Sequence, residues 1–155
     1  MLQVGASLLS VFLSLISVST QDLERSFLQN NPRLLHAQFS DRVRLNISLP
    51  EPIAFSDQVS SRQAFFFFQN IFSRYATLEF FPEPGFFQTP GHNHFILKAR
   101  WSFRDNSSND QFVFQVFFLL QREMAPTGAP GRSSRTDSPG LLAAWKVTEI
   151  KAAKI

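Results

Sequence analysis

Three polar side chains have the chemistry of a proton-transfer site: Tyr75, His94 and Arg100. His94 and Arg100 share one face of a predicted strand, and Tyr75 ends the apolar stripe of a predicted helix. Together they could polarise a carbonyl group and move a proton, as a small isomerase or dehydratase requires. The plainer interpretation, which we favour, is that this strand face, which also carries Lys98 and Ser102, is simply solvated. We therefore keep the three residues as catalytic candidates and assign none of them a role outright.

Carboxylates, the most common proton-abstracting groups, are missing from the cores of the predicted strands. Glu79 is the nearest exception, on a short strand beside Phe80 and Phe81. We expect Glu79 to be exposed at the rim of the sheet rather than buried as a general base. The chain also has no glycine-rich phosphate loop and no G-x-S-x-G nucleophile motif, so serine-based hydrolysis is not indicated.

The segment GHNH (residues 91–94) holds two histidines at i and i+2, which point the same way in an extended chain. Zinc and copper sites use such pairs but need a third or fourth ligand. The remaining histidine, His36, lies in another element. The sequence has no cysteine, which removes thiolate metal sites, disulfides and a cysteine nucleophile. We predict no metal and no cofactor, and interpret GHNH as a turn that leads into a strand.

The charge distribution argues against a nucleic-acid partner. Fifteen basic residues against 12 acidic ones give a net charge of +3, and no two basic residues are adjacent. Nucleic-acid binding needs a concentrated basic surface, which this pattern does not provide. The composition instead indicates an aromatic core, because the chain has 19 Phe, mostly in clusters, against 2 Trp and 1 Tyr.

Residues 1–19 have the features of a secretory signal peptide. The stretch MLQVGASLLSVFLSLISVSTQ carries no charge before Asp22, and residues 4–18 are apolar or small. This run is shorter than the about twenty apolar residues that a transmembrane helix needs. Ser17 and Ser19 could satisfy a signal peptidase before Thr20. The first residues carry no Lys or Arg, so an uncleaved anchor or a first helix buried in the domain remain as alternatives. We predict cleavage near residue 20, a secreted or periplasmic protein, and no stable membrane span after processing.

Residues 20–155 are predicted to form one domain that begins with helices. Apolar spacing predicts a helix over 21–30 and a short second turn over 32–38, separated by Asn30-Asn31-Pro32. The next helix starts at a capping box of Ser60 and Gln63, in SSRQAFFFFQNIFSRY. Phe66 and Phe67 widen its apolar arc, so we expect cover on two sides. Its main apolar stripe comprises Ala64, Phe65, Phe68, Ile71, Phe72 and Tyr75.

Alternation of apolar and polar residues predicts the strands. The segment RVRLNISL (42–49) alternates strictly and ends at two prolines. The phase of the last strand shifts between Val147 and Ile150, as a β-bulge would require. The Pro/Gly/Ser-rich segment 125–140 predicts a mobile loop before that strand. The other predicted strands are ATLEFF (76–81), HFILKARWSF (94–103), QFVFQVFFLLQ (111–121) and LAAWKVTEIK (142–151), with turn formers at 105–110.

Helices followed by strands in this order predict an α+β fold, in which N-terminal helices pack against a curved antiparallel sheet of about four to five strands. The arrangement resembles the nuclear transport factor 2-like superfamily of cone-shaped domains. The resemblance rests on the signal-like start, on SRQA followed by NIFSRY, on the FVFQVFFLLQ strand and on the closing AWKVTEIK strand. More narrowly, the chain resembles a family of small secreted bacterial proteins of unknown function.

This resemblance implies a pocket between the curved sheet and the helices, where enzymatic members place an Asp, His or Tyr acid or base. We predict that the pocket could hold a small apolar ligand. Its predicted lining is Phe65, Phe68, Phe72, Tyr75, Trp101 and Phe114.

Two classes of function follow. We favour a non-catalytic domain that binds a ligand or a partner, with a homodimer formed through the outer sheet face, because Phe117 and Leu119 on that face need a cover. The alternative is a small-molecule enzyme of the isomerase or dehydratase type. Convergence of Tyr75, His94 and Arg100 in a closed cavity would favour the enzyme, whereas a cavity filled by phenylalanines would oppose it.

Overall fold

The computed structural model describes residues 20–83, 87–88 (backbone only), 93–123 and 144–155. The predicted signal at 1–19 and the predicted loop at 125–140 lie outside the described residues. In the described part of the chain, no helix combines the length and the apolar character needed to cross a membrane.

Two helices open the domain, separated as the sequence predicts. Helix α1 covers residues 20–28 and helix α2 covers Pro32–His36. Asn30 has a φ of 47°, a left-handed conformation that asparagine tolerates better than most residues. The Asn31 side chain accepts hydrogen bonds from the first amides of α2, which is the usual chemistry of a helix N-cap.

Helix α3 covers Ser61–Arg74 and confirms the helix predicted from the run of four phenylalanines. The Ser60 hydroxyl accepts from the Gln63 backbone N–H, and the Gln63 side chain accepts from the Ser60 N–H. The predicted capping box is therefore present, and it satisfies two amides that the first turn of a helix leaves open.

One face of α3 is buried and the neighbouring arc is only partly covered. Phe67 packs against Phe55, with 4.2 Å between the ring centroids, whereas Phe66 is 52 % exposed. The prediction of cover on two sides is right for Phe67 and wrong for Phe66. The buried residues of α3 are Ala64, Phe68, Ile71 and Phe72.

The strands form one curved, unclosed sheet with the helices packed on one face, which confirms the predicted α+β architecture. The strands are β1 (Leu45–Leu49), β2 (Phe55–Val59), β3 (Tyr75–Pro82), β4 (Phe87–Gln88), β5 (His94–Asp105), β6 (Gln111–Glu123) and β7 (Ala144–Lys154). Their order in the sheet is β2-β1-β7-β6-β5-β3, and the short strand β4 also pairs with β5. The sheet has more strands than predicted, and it is mixed because β1 and β7 run parallel.

Strand β2 is one of two strands that sequence patterns miss; the other is the short β4. The centre of β2, residues 56–58, is polar and exposed, so it carries no alternating pattern. The strand forms because it pairs antiparallel with β1, in a register that runs from Leu45 opposite Val59 to Leu49 opposite Phe55. Pairing with a neighbour, rather than local preference, makes this segment a strand.

Two β-bulges shift the register of strand pairing in the sheet. In β7, Glu149 pairs with Leu119 and Val147 pairs with Leu120, so Thr148 is an extra residue and the predicted phase shift is confirmed. In β3, Leu78 is the extra residue between the paired residues Thr77 and Glu79. Each bulge lets the strand keep its apolar residues on the helix side before and after the insertion.

Candidate functional site

Aromatic rings fill the space between the sheet and the helices. Phe27 of α1 lies at the centre, and its ring centroid is 4.5–6.2 Å from those of five other buried rings. Most of these pairs are edge-to-face, an arrangement that aromatic quadrupoles favour. Phe27 thus lies where a ligand between sheet and helices would have to lie. Its partners are Phe68, Phe72, Phe80, Trp101 and Phe118.

Five of the six predicted pocket residues meet in this core. Phe68, Phe72, Tyr75, Trp101 and Phe114 belong to one buried cluster. Phe65 is half-buried on another side of α3, where its ring lies 5.4 Å from that of His36. The aromatic rings of the five buried residues belong to one packed core. Their role in binding a ligand stays a prediction.

Tyr75 is buried among these rings with its hydroxyl unpaired. It is 2 % exposed, and its hydroxyl oxygen has no hydrogen-bond partner in the described part of the chain. Burial raises the pKa of Tyr75; the nearby charge of Arg74 lowers the pKa and that of Asp105 raises it. A phenol is already protonated at neutral pH at its ordinary pKa, and burial moves the pKa of Tyr75 further from neutrality, so Tyr75 is poorly suited to act as a base.

His94 and Arg100 lie on the opposite side of the sheet from Tyr75. Side chains alternate along β5, so residues such as Phe95 and Trp101 point to the helices while His94 and Arg100 point away from them. Arg100 is exposed, and half-buried His94 lines an open surface hollow of about 550 Å³. The structure therefore does not bring the three catalytic candidates together.

Hydrogen bonds hold two carboxylates near the sheet, Glu83 and Asp105, as anions. Glu79 is exposed, as expected from its position. Glu83 accepts a hydrogen bond of 3.0 Å from Gln115 and forms a 3.2 Å ion pair with Lys98. These contacts lower the pKa of Glu83, chiefly through Gln115, and hydrogen bonds from Ser107 lower that of Asp105 in the same way. Neither carboxylate has the raised pKa of a general acid.

The described residues hold no cluster of three or more His, Cys, Asp or Glu side chains that could bind a metal. His92 of the GHNH segment lies outside the described residues.

The outer face of the sheet carries five apolar side chains that are exposed or half-buried, which we call the outer patch: Phe81, Ile96, Val113, Phe117 and Leu119. Phe81 is 56 % exposed, and Ile96 and Phe117 are each 37 % exposed. Ile96 lies opposite Leu119, which is two residues from Phe117 on the same face of β6. Arg100 lies between Phe81 and Gln115, and Ser102 lies opposite Val113, so Phe81 and Val113 are separated from the other three by polar side chains.

Charged side chains border the outer patch. Phe117 lies between Lys98 and Lys151 on the neighbouring strands. Each lysine is paired with a carboxylate: Lys98 with Glu83 at 3.2 Å, and Lys151 with Glu149 at 2.8 Å. The sequence identified Phe117 and Leu119 by their strand phase, but it did not identify Phe81, which ends a short strand beside a proline.

The sequence matches no family model and no curated protein. Solved structures do match its fold. A ketosteroid isomerase-like protein from Erwinia carotovora atroseptica is 14 % identical, covers 92 % of this chain and 95 % of its own, and superposes with a TM-score of 0.62. A nuclear transport factor 2-like protein of unknown function in nutrient uptake from Rhodospirillum rubrum is 9 % identical, with coverages of 90 % and 98 % and a TM-score of 0.59.

The chain has the nuclear transport factor 2-like fold. A DUF4783 family protein from Bacteroides ovatus also shares it, with 14 % identity, coverages of 86 % and 92 % and a TM-score of 0.54. The superfamily resemblance expected from the sequence is thereby confirmed at the level of the fold.

In this domain of nuclear transport factor 2-like fold, Tyr75→Phe is expected to leave stability unchanged or to raise it by about 1 kcal/mol. The reason is that a buried hydroxyl without a partner carries a desolvation cost that phenylalanine does not. Urea unfolding of the two proteins, followed by tryptophan fluorescence, measures the difference.

Thr77→Val is the matched control for Tyr75→Phe. The indole N–H of Trp101 donates to the Thr77 hydroxyl at 3.0 Å, so this change leaves a buried donor unpaired. We expect a loss of about 1–3 kcal/mol. A comparable loss in Tyr75→Phe would show that the Tyr75 hydroxyl has a partner in solution, and would revive its candidacy as a functional group.

Proposed function

We propose that this protein is an exported, non-catalytic binding domain that associates as a homodimer through the outer patch. The observation that carries the proposal is the contrast between the two sides of the sheet. The helix side is filled by Phe27 and its ring neighbours, whereas Phe81, Ile96 and Phe117 remain exposed on the other side.

Burial of the outer patch is favourable for a physical reason. Removing apolar surface from water contributes about 25 cal/mol per Å², and adjacent exposed apolar residues on soluble domains, such as Ile96, Phe117 and Leu119 here, can mark association sites. In each of the neighbouring ion pairs, Lys98–Glu83 and Lys151–Glu149, the carboxylate neutralises the charge of the lysine. The exposed Arg100, opposite Phe81, is a further positive charge on this face, so two identical copies that face each other across a two-fold axis must keep their Arg100 side chains apart.

The positions of the three catalytic candidates do not support the alternative that the protein is an enzyme. Tyr75 is buried on the helix side, while His94 and Arg100 lie on the outer face. A proton-transfer site needs its groups within hydrogen-bond reach of one substrate, and the sheet separates these.

Phe117→Glu tests the homodimer. Introducing a charge at the centre of a buried apolar contact is expected to weaken association by at least about 2 kcal/mol, which is roughly thirtyfold in the dissociation constant. Folding should tolerate the change, because Phe117 is partly exposed and Lys98 and Lys151 are its neighbours. Sedimentation equilibrium over a range of concentrations measures the effect.

Phe66→Glu is the matched control, since Phe66 is more exposed than Phe117 but lies on α3, away from the outer patch. It should have the association constant of the unmodified protein. An unmodified protein that stays monomeric at all concentrations, or equal weakening by the two substitutions, would contradict the proposal.

The export part of the proposal concerns residues 1–19. Cleavage before Thr20 would keep the described residues of α1, 20–28, in the mature chain, and the first buried residue of the described core, Leu23, lies beyond that point. N-terminal sequencing of the protein after expression with its own N-terminus should give a start near residue 20. A cytoplasmic product that retains Met1 would contradict export.

A further inference from the structure

The sheet is unclosed, so its two terminal strands need protection. In the described sheet, β2 ends one side, and β3 together with the short β4, which pairs with another part of β5, ends the other. A terminal strand presents backbone N–H and C=O groups that can pair with a strand of another chain. Exposed residues 56–58 make β2 accessible for such pairing.

Two side chains already occupy the outward backbone groups at Gln58 of β2. The Gln58 N–H donates to Asp57 Oδ1 at 2.7 Å, and the Gln58 carbonyl accepts from Arg44 Nη2 at 2.8 Å. Gln58 lies opposite Asn46 in the β1–β2 register. In an antiparallel pair, alternate residues direct their backbone groups away from the partner strand, and these are the groups that a new strand would use.

The β3 side is protected by different means. The Thr77 N–H donates to Asn30 Oδ1 at 3.2 Å, and the bulge at Leu78 interrupts the regular ladder directly after it. A side-chain hydrogen bond beside a bulge is a typical way to keep an edge from pairing with another sheet.

We infer that Asp57 and Arg44 close the β2 edge to strand addition by a second copy of this chain. The two side chains satisfy the N–H and the C=O to which an incoming strand would have to form hydrogen bonds. They also place charged groups beside the edge along which that strand would pair. This inference goes beyond the proposed homodimer, because it states which mode of self-association the chain excludes and which residues exclude it.

The test removes both protecting side chains in a background that lacks the proposed homodimer. In Phe117→Glu protein, the added changes Arg44→Val and Asp57→Val expose both groups of Gln58 while retaining strand preference. The expected result is a concentration-dependent doubling of the mass measured by light scattering, with an unchanged circular dichroism spectrum. Arg44→Lys with Asp57→Asn, which keeps a donor and an acceptor, should retain the original mass.

Ser56→Pro identifies the route of any new association. Ser56 is two residues from Gln58, so its N–H faces the same free edge, and proline there removes the donor while remaining compatible with an edge strand. We call the variant with Phe117→Glu, Arg44→Val and Asp57→Val the unprotected protein. Adding Ser56→Pro to it should restore the original mass. An unprotected protein that never gains mass, or a gain that Ser56→Pro does not reverse, would overturn the inference. If the double change prevents folding, the single change Asp57→Ala carries the same test with a smaller mass increase.

Discussion

Replacing Phe27 by alanine is expected to destabilise the domain by about 3–5 kcal/mol, the usual cost of deleting a large buried ring. The Phe27 ring contacts five other buried rings between the helices and the sheet, so its loss leaves a void that several elements line. Because domains of this size are stable by only about 5–15 kcal/mol, this is a large share of the total. Urea unfolding monitored by circular dichroism measures it.

The same variant tests whether side chains fill the interior of the unmodified protein or leave a pocket that a ligand can enter. An apolar cavity left by a deleted side chain stays dry and can bind benzene, so benzene should raise the melting temperature of Phe27→Ala and leave that of the unmodified protein unchanged. Phe66→Ala, at an exposed ring, should change stability by less than about 0.5 kcal/mol. Benzene stabilisation of the unmodified protein would show that an interior pocket already exists.

Asn30→Ala is expected to cost about 3 kcal/mol, although Asn30 is neither apolar nor charged. Its Nδ2 group donates to the carbonyls of Phe72 and Tyr75 at 3.3 and 3.0 Å, and its Oδ1 accepts from the Thr77 N–H at 3.2 Å. Each such bond contributes about 1 kcal/mol, and breaking it leaves a backbone group unpaired. Alanine at a φ of 47° adds about 1 kcal/mol of backbone strain. Thermal and urea unfolding measure the sum.

Asn30→Gly separates the two contributions. Glycine accepts the positive φ without strain but makes none of the three side-chain bonds. It should therefore be less destabilising than Asn30→Ala by about 1 kcal/mol. Both variants should still be clearly less stable than the unmodified protein. Equal stability of Asn30→Gly and the unmodified protein would contradict the view that Asn30 joins the end of α1 to the junction of α3 and β3.

The elements that sequence patterns predict correctly are those with strong local signals. Helix α3 follows from the Ser60–Gln63 capping box and a stripe of period 3.6, and strands β5 and β6 follow from apolar residues at every second position. The bulge at Thr148 follows from a phase shift within a few residues. In each case the information lies inside one element, where hydrogen bonding and side-chain direction repeat with a fixed period.

The features that patterns miss depend on residues far apart in the chain. Strand β2 has no alternation of its own and forms against β1. The parallel pairing of β1 with β7 joins residues 46–48 to residues 149–151. Asn30 lies in a segment that looks like an ordinary helix break, and only its contacts with Phe72, Tyr75 and Thr77 show what it does.

For the candidate site, the sequence by itself determined which face of each strand carries which side chains. It therefore placed His94 and Arg100 on the face opposite Trp101, and it placed Phe117 and Leu119 on a face in need of a cover. Only the tertiary structure decided that Phe27 fills the interior and that Phe81 joins the outer patch. The physical reason is that the direction of a side chain is a local property of its element, whereas the filling of a space depends on how α1, the sheet and α3 meet.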